Sequence, residues 1–324
     1  MKRSIKLFYI CLNLVLFLTA VYIIDSEFLS STENTDNTEC KDIQNPLPYY
    51  DSDYNRSVNR LLEPNTSIYV DEGQNFCRIE PYHLETNSKG LRYDETEEHK
   101  NEDTYRILVI GDSNVFGWGL NQSDTFPYIL KQELASHHEK DYQVLNMGVP
   151  GAGIENHYLI LRNIGLDYNP DLVIVSTGDR DSMTVPKQEK LREDAIEKLP
   201  SEDPDDVEIN NKIEELLKDY WEDFSYSNSS MEYYKNLLSE TALDKDFNLC
   251  IHLIYKSRSD QTEKALSEWS QDNENFCFIE KSQKLQKNSE KWRIAPYDPH
   301  YNAKANELIA NQLYNELDSR NPLS

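Results

Sequence analysis

A continuous apolar run, Ile107-Leu-Val-Ile110, ends abruptly at Gly111-Asp112-Ser113. Because no polar residue alternates with these apolar ones, the run predicts a strand buried on both faces, as in a parallel sheet covered by helices. We expect Gly111 to end this strand and turn the chain, so that Ser113 lies just beyond the strand's carboxyl end. Ligands of open α/β sheets bind at that edge. Ser113 is therefore a candidate nucleophile, with a simple tight turn as the alternative.

Strand-like and helix-like segments alternate from this run to the carboxyl terminus. The predicted strands are residues 107–110, 143–147, 172–177, 248–255 and 276–279, and the predicted helices are 125–138, 154–164 and 262–270. Asn302 can cap a final helix, whose apolar positions recur at helical spacing. Such alternation predicts βαβ units and a mostly parallel sheet.

One acidic segment, residues 183–245, interrupts this alternation between the third and fourth strands. Its helix-like runs, 208–224 and 231–243, predict a helical insertion at the carboxyl edge of the sheet, where a lid or substrate-selecting element would lie. A solvated structural excursion is the alternative. Before the main domain, residues 61–104 have mixed composition and predict an amino-terminal extension packed on it.

The amino terminus combines a basic start with a long apolar segment. Lys2, Arg3 and Lys6 precede residues 7–24, which are interrupted only by Asn13 and Thr19. Eighteen residues lie within the range of about 17–25 that spans a bilayer. The basic flank places the amino end inside the cell. We therefore expect a single-pass anchor over residues 1–24; a cleaved signal peptide is the alternative.

Outside the cytoplasm, residues 25–60 are polar and predict a tether to the folded domain. Four cysteines fall in this exported part, Cys40, Cys77, Cys250 and Cys277, which permits up to two disulfides. Cys250 and Cys277 lie in apolar, strand-like runs where buried free thiols are equally natural, so no pairing is chosen.

The chain carries 33 basic and 58 acidic residues, a formal net charge of −25. So acidic a protein repels phosphate backbones, and no basic stripe with interleaved aromatic residues is present in the sequence. Nucleic acid is therefore excluded as an expected partner.

A candidate base lies close to the carboxyl terminus. Asp298 and His300 flank Pro299, which biases Asp298 toward extended backbone. Residues two apart in an extended chain point the same way, so the carboxylate can orient one ring nitrogen while the other takes a proton from a serine. A helix-entry turn holding a chance pair is the alternative.

Backbone donors for an oxyanion can come from two further strand ends. Gly148, Gly151 and Gly153 lie within six residues of one another, after the second predicted strand, and glycines expose N–H groups to a substrate. The third strand is followed by Gly178-Asp-Arg180-Asp.

In their order and placement these segments resemble the SGNH/GDSL hydrolase family over residues 87–317. The resemblance implies a three-layer α/β/α sandwich with a mostly parallel five-stranded sheet, in a main domain of residues 105–319. It implies Ser113 as nucleophile, Asp298 and His300 as its partners, and the N–H groups of Ser113 and Gly151 as oxyanion donors. The lead-in Asn87-Ser-Lys-Gly90-Leu-Arg92 resembles that of anchored members found with polysaccharide O-acetylation systems.

One position departs from the family pattern. The third segment of the family normally reads Gly-x-Asn-Asp, and Arg180 stands in place of the asparagine that donates to the oxyanion. Arginine can donate as well, or it can pair with a neighbouring aspartate and leave the hole one donor short.

The sequence therefore predicts a membrane-anchored serine esterase or O-acyltransferase that acts outside the cytoplasm on acyl esters, with acylated glycans as expected substrates. The resemblance implies a membrane-bound acyltransferase as partner, and the mechanism needs neither a metal nor an organic cofactor. A weak or inactive glycan-binding scaffold is the main alternative, and a secreted lipid esterase is a further one.

Overall fold

The computed structural model describes residues 61–70, 80–178, 212, 225–255, 260–286, 290–295 and 298–320. Within these ranges no helix is both long and apolar enough to cross a bilayer. The predicted anchor over residues 1–24 and the tether over residues 25–60 lie outside the described residues.

The amino-terminal extension contributes a small antiparallel sheet. Its strands are β1 (Ser67–Val70) and β2 (Tyr82–Glu85). Val70, Tyr82 and Leu84 are buried in a cluster that also contains Phe116 of the main domain. These strands thus pack against α1 (Ser113–Phe116), the helix that Ser113 begins.

Five parallel strands form the central sheet. They are β3 (Thr104–Gly111), β4 (Asp141–Gly148), β5 (Leu172–Thr177), β6 (Asn248–Leu253) and β7 (Phe276–Ile279), in the order β4-β3-β5-β6-β7. Every residue of β3 and β5 is buried, as their unbroken apolar runs require. Because β4 and β5 lie on opposite sides of β3, the carboxyl end of β3 is the switch point of the sheet, where ligands of such folds bind.

Helices cover both faces of the sheet. They are α1 (Ser113–Phe116), α2 (Phe126–His137), α3 (Ile154–Asn163), α4 (Ser225–Lys245), α5 (Asp260–Trp269), α6 (Gln283–Gln286) and α7 (Ala303–Arg320). Short 3₁₀ turns occupy Gln122–Asp124, Gly165–Tyr168 and Glu290–Trp292. Two short antiparallel strands, β8 (Arg293–Ala295) and β9 (Asp298–Tyr301), precede α7.

The two cores follow from the alternation of side chains along β3. Leu108 and Ile110 pack in the core covered by α3, α4 and α5, whereas Ile107 and Val109 pack in the core covered by α2 and α7. The predicted three-layer α/β/α architecture is therefore confirmed.

Two boundaries differ from the prediction. Gly111 remains within β3, paired with Gly148 and Ser176, and the turn begins one residue later, at Asp112. The strand predicted to reach residue 255 ends at Leu253, because β5 ends at Thr177.

The acidic insertion, as far as it is described, is helical. The helix α4 includes the predicted run 231–243, and its side chains Leu238 and Ala242 are fully buried in the core. The carboxyl-terminal part of the insertion is therefore a structural layer of the fold and not a solvated excursion. The other predicted run, 208–224, falls outside the described residues apart from Lys212.

A disulfide joins Cys250 to Cys277, which face each other on the neighbouring strands β6 and β7 with a Cα–Cα distance of 4.4 Å. This settles one of the pairings that the sequence left open. Cys40 and Cys77 lie outside the described residues.

Candidate active site

Ser113 begins the one-turn helix α1 immediately after β3. Asp112 caps this helix, its side chain accepting a hydrogen bond from the backbone N–H of Asn114 at 2.8 Å. A Cβ atom on Gly111 would lie 2.2 Å from Val115 Cγ2 and 2.6 Å from the Ser176 carbonyl oxygen. Glycine is therefore required for the helix to fold back so tightly on the strand, and this fold presents Ser113 at the edge of the sheet.

The predicted base lies opposite Ser113. Asp298 and His300 belong to β9, whose extended backbone directs both side chains the same way. The Asp298 Oδ1 atom lies 2.5 Å from His300 Nδ1, and it also accepts a hydrogen bond from the His300 backbone N–H at 2.9 Å. The His300 Nε2 atom lies 2.7 Å from Ser113 Oγ. The three predicted side chains thus form one continuous chain of hydrogen bonds.

The electrostatics of the site fix the direction of these hydrogen bonds. Burial acts to raise the pKa of Asp298, but hydrogen bonds from His300 and its charge outweigh that effect and lower the pKa below its usual value. An ionised carboxylate only accepts hydrogen bonds, so Nδ1 of His300 carries the proton. When Nε2 carries no proton, it can accept a hydrogen bond from the Ser113 hydroxyl, the orientation that a general base requires.

Trp118 packs beside the base. The turn at Gly117 places the Trp118 N–H 3.0 Å from the Ser113 carbonyl oxygen, to which it donates a hydrogen bond. The indole ring lies nearly parallel to the His300 ring, at 25° and with centroids 5.6 Å apart. A π face so placed can stabilise an imidazolium ion.

The second glycine-rich segment packs directly against α1, the helix that Ser113 begins. A Cβ atom on Gly148 would lie 2.1 Å from the Phe116 backbone nitrogen, so only glycine permits this approach. The buried Asn146 side chain donates to the Val115 carbonyl oxygen at 2.8 Å and accepts from the Gly148 N–H at 2.9 Å. Gly151, the predicted oxyanion donor, is exposed in the loop that follows, with φ of +76°.

The third segment is described only up to Gly178, so Arg180 lies outside the described residues. Two histidines that the sequence analysis did not assign to the site, His157 on α3 and His252 on β6, are fully buried. Burial lowers the pKa of each to about 3, which keeps both rings neutral.

Several residues that shape the site were not assigned a role from the sequence. Asn114, Asn146 and Tyr255 hold the nucleophile turn through side-chain hydrogen bonds, and Trp118 packs on the base. Arg92 is buried and donates to the carbonyl oxygens of Phe116 at 3.2 Å and Gly117 at 2.6 Å, and also to that of Leu120. Asn114, Trp118, Asn146 and Arg92 lie within or beside the motifs that the sequence singled out, but most of their side-chain partners are distant in sequence and could not be foreseen.

Chemically, the site places a serine hydroxyl, an imidazole and a carboxylate in the order that a nucleophile, its base and an orienting group require. Among the described residues, no group of three His, Cys, Asp or Glu side chains is placed to hold a metal ion. The arrangement is suited to acyl transfer through a covalent serine intermediate.

The family of this chain is given by a profile match, and several solved structures are similar to it. Residues 107–313 match the profile of the GDSL-like lipase/acylhydrolase family, whereas no curated protein sequence matches the chain. Similar solved structures include TesA, with 16% identity over 66% of this chain and 99% of that one and a TM-score of 0.40. The psychrotrophic esterase EstA from Pseudoalteromonas sp. has 14% identity over 67% and 98% of the two chains and a TM-score of 0.42.

The lipase/acylhydrolase from Enterococcus faecalis has 16% identity over 67% of this chain and 96% of that one, with a TM-score of 0.40. The family profile covers well over half of the chain, including Ser113, Asp298 and His300. The chain therefore belongs to the SGNH/GDSL hydrolase family, with a GDSL-like lipase/acylhydrolase domain over residues 107–313.

Proposed function

We propose that this protein is a serine esterase or O-acyltransferase that works through Ser113, His300 and Asp298. The observation that carries the proposal is the continuous hydrogen-bond chain, with Ser113 Oγ 2.7 Å from His300 Nε2 and His300 Nδ1 2.5 Å from Asp298. This is the geometry in which a histidine withdraws the serine proton while a carboxylate holds the ring.

The reaction proceeds in two halves. Ser113 Oγ attacks the ester carbonyl carbon as its proton moves to His300 Nε2, and His300 then passes that proton to the departing alcohol oxygen. In the second half, water or a sugar hydroxyl attacks the acyl-serine and His300 repeats the two proton transfers. Asp298 retains the Nδ1 proton on His300 and stabilises the imidazolium formed in each half.

The developing oxyanion needs donors other than these three side chains. The backbone N–H groups of Ser113 and Gly151 are the proposed pair, and Arg180 is the proposed side-chain donor. Loss of one such donor typically costs on the order of 10²–10³ in kcat. The level of activity therefore depends on whether Arg180 donates a hydrogen bond to the oxyanion as the asparagine of the family does.

A fluorophosphonate probe tests the nucleophile, because it phosphonylates only an activated serine. We expect the purified protein to be labelled, Ser113→Ala to lose the label, and Ser123→Ala, at an exposed position in the 3₁₀ turn that follows α1, to retain it. Hydrolysis of p-nitrophenyl acetate should follow the same pattern. A folded wild-type protein that neither labels nor hydrolyses the ester would refute the esterase and favour a glycan-binding scaffold, which the arginine at position 180 also fits.

The two acyl acceptors are distinguished by product analysis. With an acetyl ester as donor and a neutral oligosaccharide present, an esterase releases acetate whereas an acyltransferase yields acetylated sugar. Mass spectrometry of the sugar separates the outcomes, and Ser113→Ala sets the background for both. We propose acylated glycan of the envelope as the natural substrate because the lead-in at residues 87–92 resembles that of polysaccharide O-acetylation proteins.

The location is proposed from the amino-terminal sequence alone. Residues 1–24 would anchor the protein with its amino terminus in the cytoplasm and its catalytic domain outside, close to a membrane-bound acyltransferase partner. Membranes carrying the full chain should retain it after a carbonate wash and expose it to protease in intact spheroplasts. Release by carbonate, or protection from protease, would refute this location.

A further inference from the structure

The Tyr255 hydroxyl bridges the two residues that flank the nucleophile. Tyr255 lies just beyond the end of β6, and its hydroxyl donates to Asp112 Oδ2 at 2.8 Å. The same oxygen accepts a hydrogen bond from Asn114 Nδ2. Asp112 and Asn114 immediately precede and follow Ser113. One side chain from the segment that follows β6 therefore holds both sides of the turn that presents Ser113.

The same network continues to the strand that carries the base. Asn114 Oδ1 accepts a hydrogen bond from the Tyr301 backbone N–H at 3.0 Å, and Tyr301 directly follows His300. The Tyr301 ring stacks on that of Tyr255, at 28° and 6.1 Å between centroids. Asn114 thus uses its nitrogen toward Tyr255 and its oxygen toward the base strand, which fixes the amide in one orientation.

The third glycine-rich segment makes room for this tyrosine. A Cβ atom on Gly178 would lie 2.5 Å from Tyr255 Cδ2 and 3.2 Å from Tyr255 Cβ. Any larger residue at position 178 would push the ring away from Asp112. Gly178 thus leaves the space that the Tyr255 ring occupies, and this does not depend on the residues that follow Gly178.

We propose that Tyr255 is a positioning residue that sets the distance between Ser113 and His300. Without its hydroxyl, Asp112 Oδ2 loses a donor and Asn114 Nδ2 loses an acceptor. The Asn114 amide can then rotate, which releases the Tyr301 N–H and with it the strand of His300. The catalytic consequence rests on the proposed function, whereas the geometric consequence does not.

The test compares Tyr255→Phe with Tyr105→Phe. Tyr105 is also buried and hydrogen-bonded, to Asn248, but it lies near the opposite end of β3 from Ser113. We expect Tyr255→Phe to lower kcat for p-nitrophenyl acetate by about 10- to 100-fold, because small displacements of reacting groups cost about that much. KM should change by less than about twofold, since the hydroxyl contacts no substrate. Tyr105→Phe should keep the wild-type kcat even though it loses comparable stability to urea.

A second measurement does not depend on activity. In a crystal structure of Tyr255→Phe we expect Ser113 Oγ and His300 Nε2 to move beyond hydrogen-bond distance, with Tyr105→Phe as reference. Retention of the 2.7 Å contact, or a kcat loss no larger than that of Tyr105→Phe, would overturn the positioning role. If the wild-type protein itself fails to label, the proposed function is lost, and the structure of the variant still decides the role of Tyr255.

Discussion

A single carboxylate oxygen, Asp298 Oδ1, accepts hydrogen bonds from both the ring and the backbone of His300. The backbone bond fixes the carboxylate relative to β9, and the ring bond fixes the imidazole relative to the carboxylate. Because the pKa of Asp298 is lowered chiefly through His300, the pair remains charge-complementary when His300 takes the serine proton. The orientation of the base is therefore built into three consecutive residues.

Asp298→Asn should abolish most of the activity and leave the fold intact. The asparagine keeps the shape of the side chain but carries no charge to stabilise the imidazolium and can favour the wrong ring tautomer. We expect kcat for p-nitrophenyl acetate to fall by about 10²–10⁴-fold, and fluorophosphonate labelling of Ser113 to slow in parallel. Asp103→Asn, at an exposed position, is the matched control. A loss below about threefold would mean that Asp298 does not orient the base.

Trp118 should contribute less to kcat than Asp298 does, and it should act through its π face. A cation–π contact of about 1 kcal/mol corresponds to roughly a fivefold change in rate. We therefore expect Trp118→Leu to lower kcat about fivefold and Trp118→Phe, which retains an aromatic face, to recover most of it. Steady-state kinetics of the three proteins decide the point. Equal losses in both variants would assign Trp118 to packing alone.

At the scale of elements, the sequence predicted the five central strands because short apolar-rich segments that alternate with helix-like segments indicate a parallel sheet. The pair Asp298 and His300 was equally accessible, since its geometry depends on adjacent residues in extended backbone. The pairing of β9 with β8 was not predicted, because β8 has only three residues. The sequence predicted Tyr255 as the last residue of a strand and gave it no role in the site. Its contacts with Asp112 and Asn114 could not be predicted, because they join residues more than 140 positions apart.

The lead-in segment and the loop after α1 form one structural unit through Arg92. The Arg92 side chain is fully buried and bonds to backbone carbonyl oxygens of that loop, so its charge is neutralised by dipoles and not by a described carboxylate in contact with it. Burial lowers the pKa of the guanidinium to about 10, which leaves it protonated at neutral pH. The lead-in thus supports the loop that carries Trp118.

Arg92→Lys should destabilise the protein and loosen this loop. A single ammonium group cannot reach all the carbonyl oxygens that the planar guanidinium bonds, and unpaired buried polar groups cost about 1–3 kcal/mol each. We expect a loss of about 3 kcal/mol in the free energy of unfolding in urea, together with a fall in kcat. Arg162→Lys, at an exposed position of α3, should do neither. An unchanged urea midpoint for Arg92→Lys would contradict this structural role.

At the scale of the whole molecule, the sheet order gathers segments that are far apart in sequence. The order β4-β3-β5-β6-β7 brings the carboxyl ends of β3, β4, β5 and β6 to one edge, and His300 of β9 meets Ser113 there. The disulfide between Cys250 and Cys277 could not be predicted from the sequence, because it depends on the register of β6 against β7. The same arrangement buries one histidine in each core, His157 on α3 and His252 on β6.

Because of these two histidines, we expect the free energy of unfolding to fall at acid pH. Burial lowers both pKa values from 6.5 to about 3, so below pH 6.5 the unfolded chain binds protons that the folded chain does not. Stability must then fall as the pH falls from 6.5 toward 3, by up to about 1.4 kcal/mol per pH unit for each histidine. Paired carboxylates such as Asp298, whose pKa is lowered, add their loss only at lower pH, below the ordinary range of an aspartate.

Urea unfolding at pH 7, 6 and 5 measures this dependence. We expect His157→Leu to reduce the slope of unfolding free energy against pH below 6.5 by about 1.4 kcal/mol per unit relative to wild type. His99→Gln, at an exposed position, is the matched control. The sign follows from burial: removing a site that protonates only in the unfolded chain removes part of the driving force for acid unfolding. If the slope of His157→Leu matched that of wild type, His157 would have to titrate alike in the folded and the unfolded chain, and the neutral ring inferred for the core that contains it would be wrong.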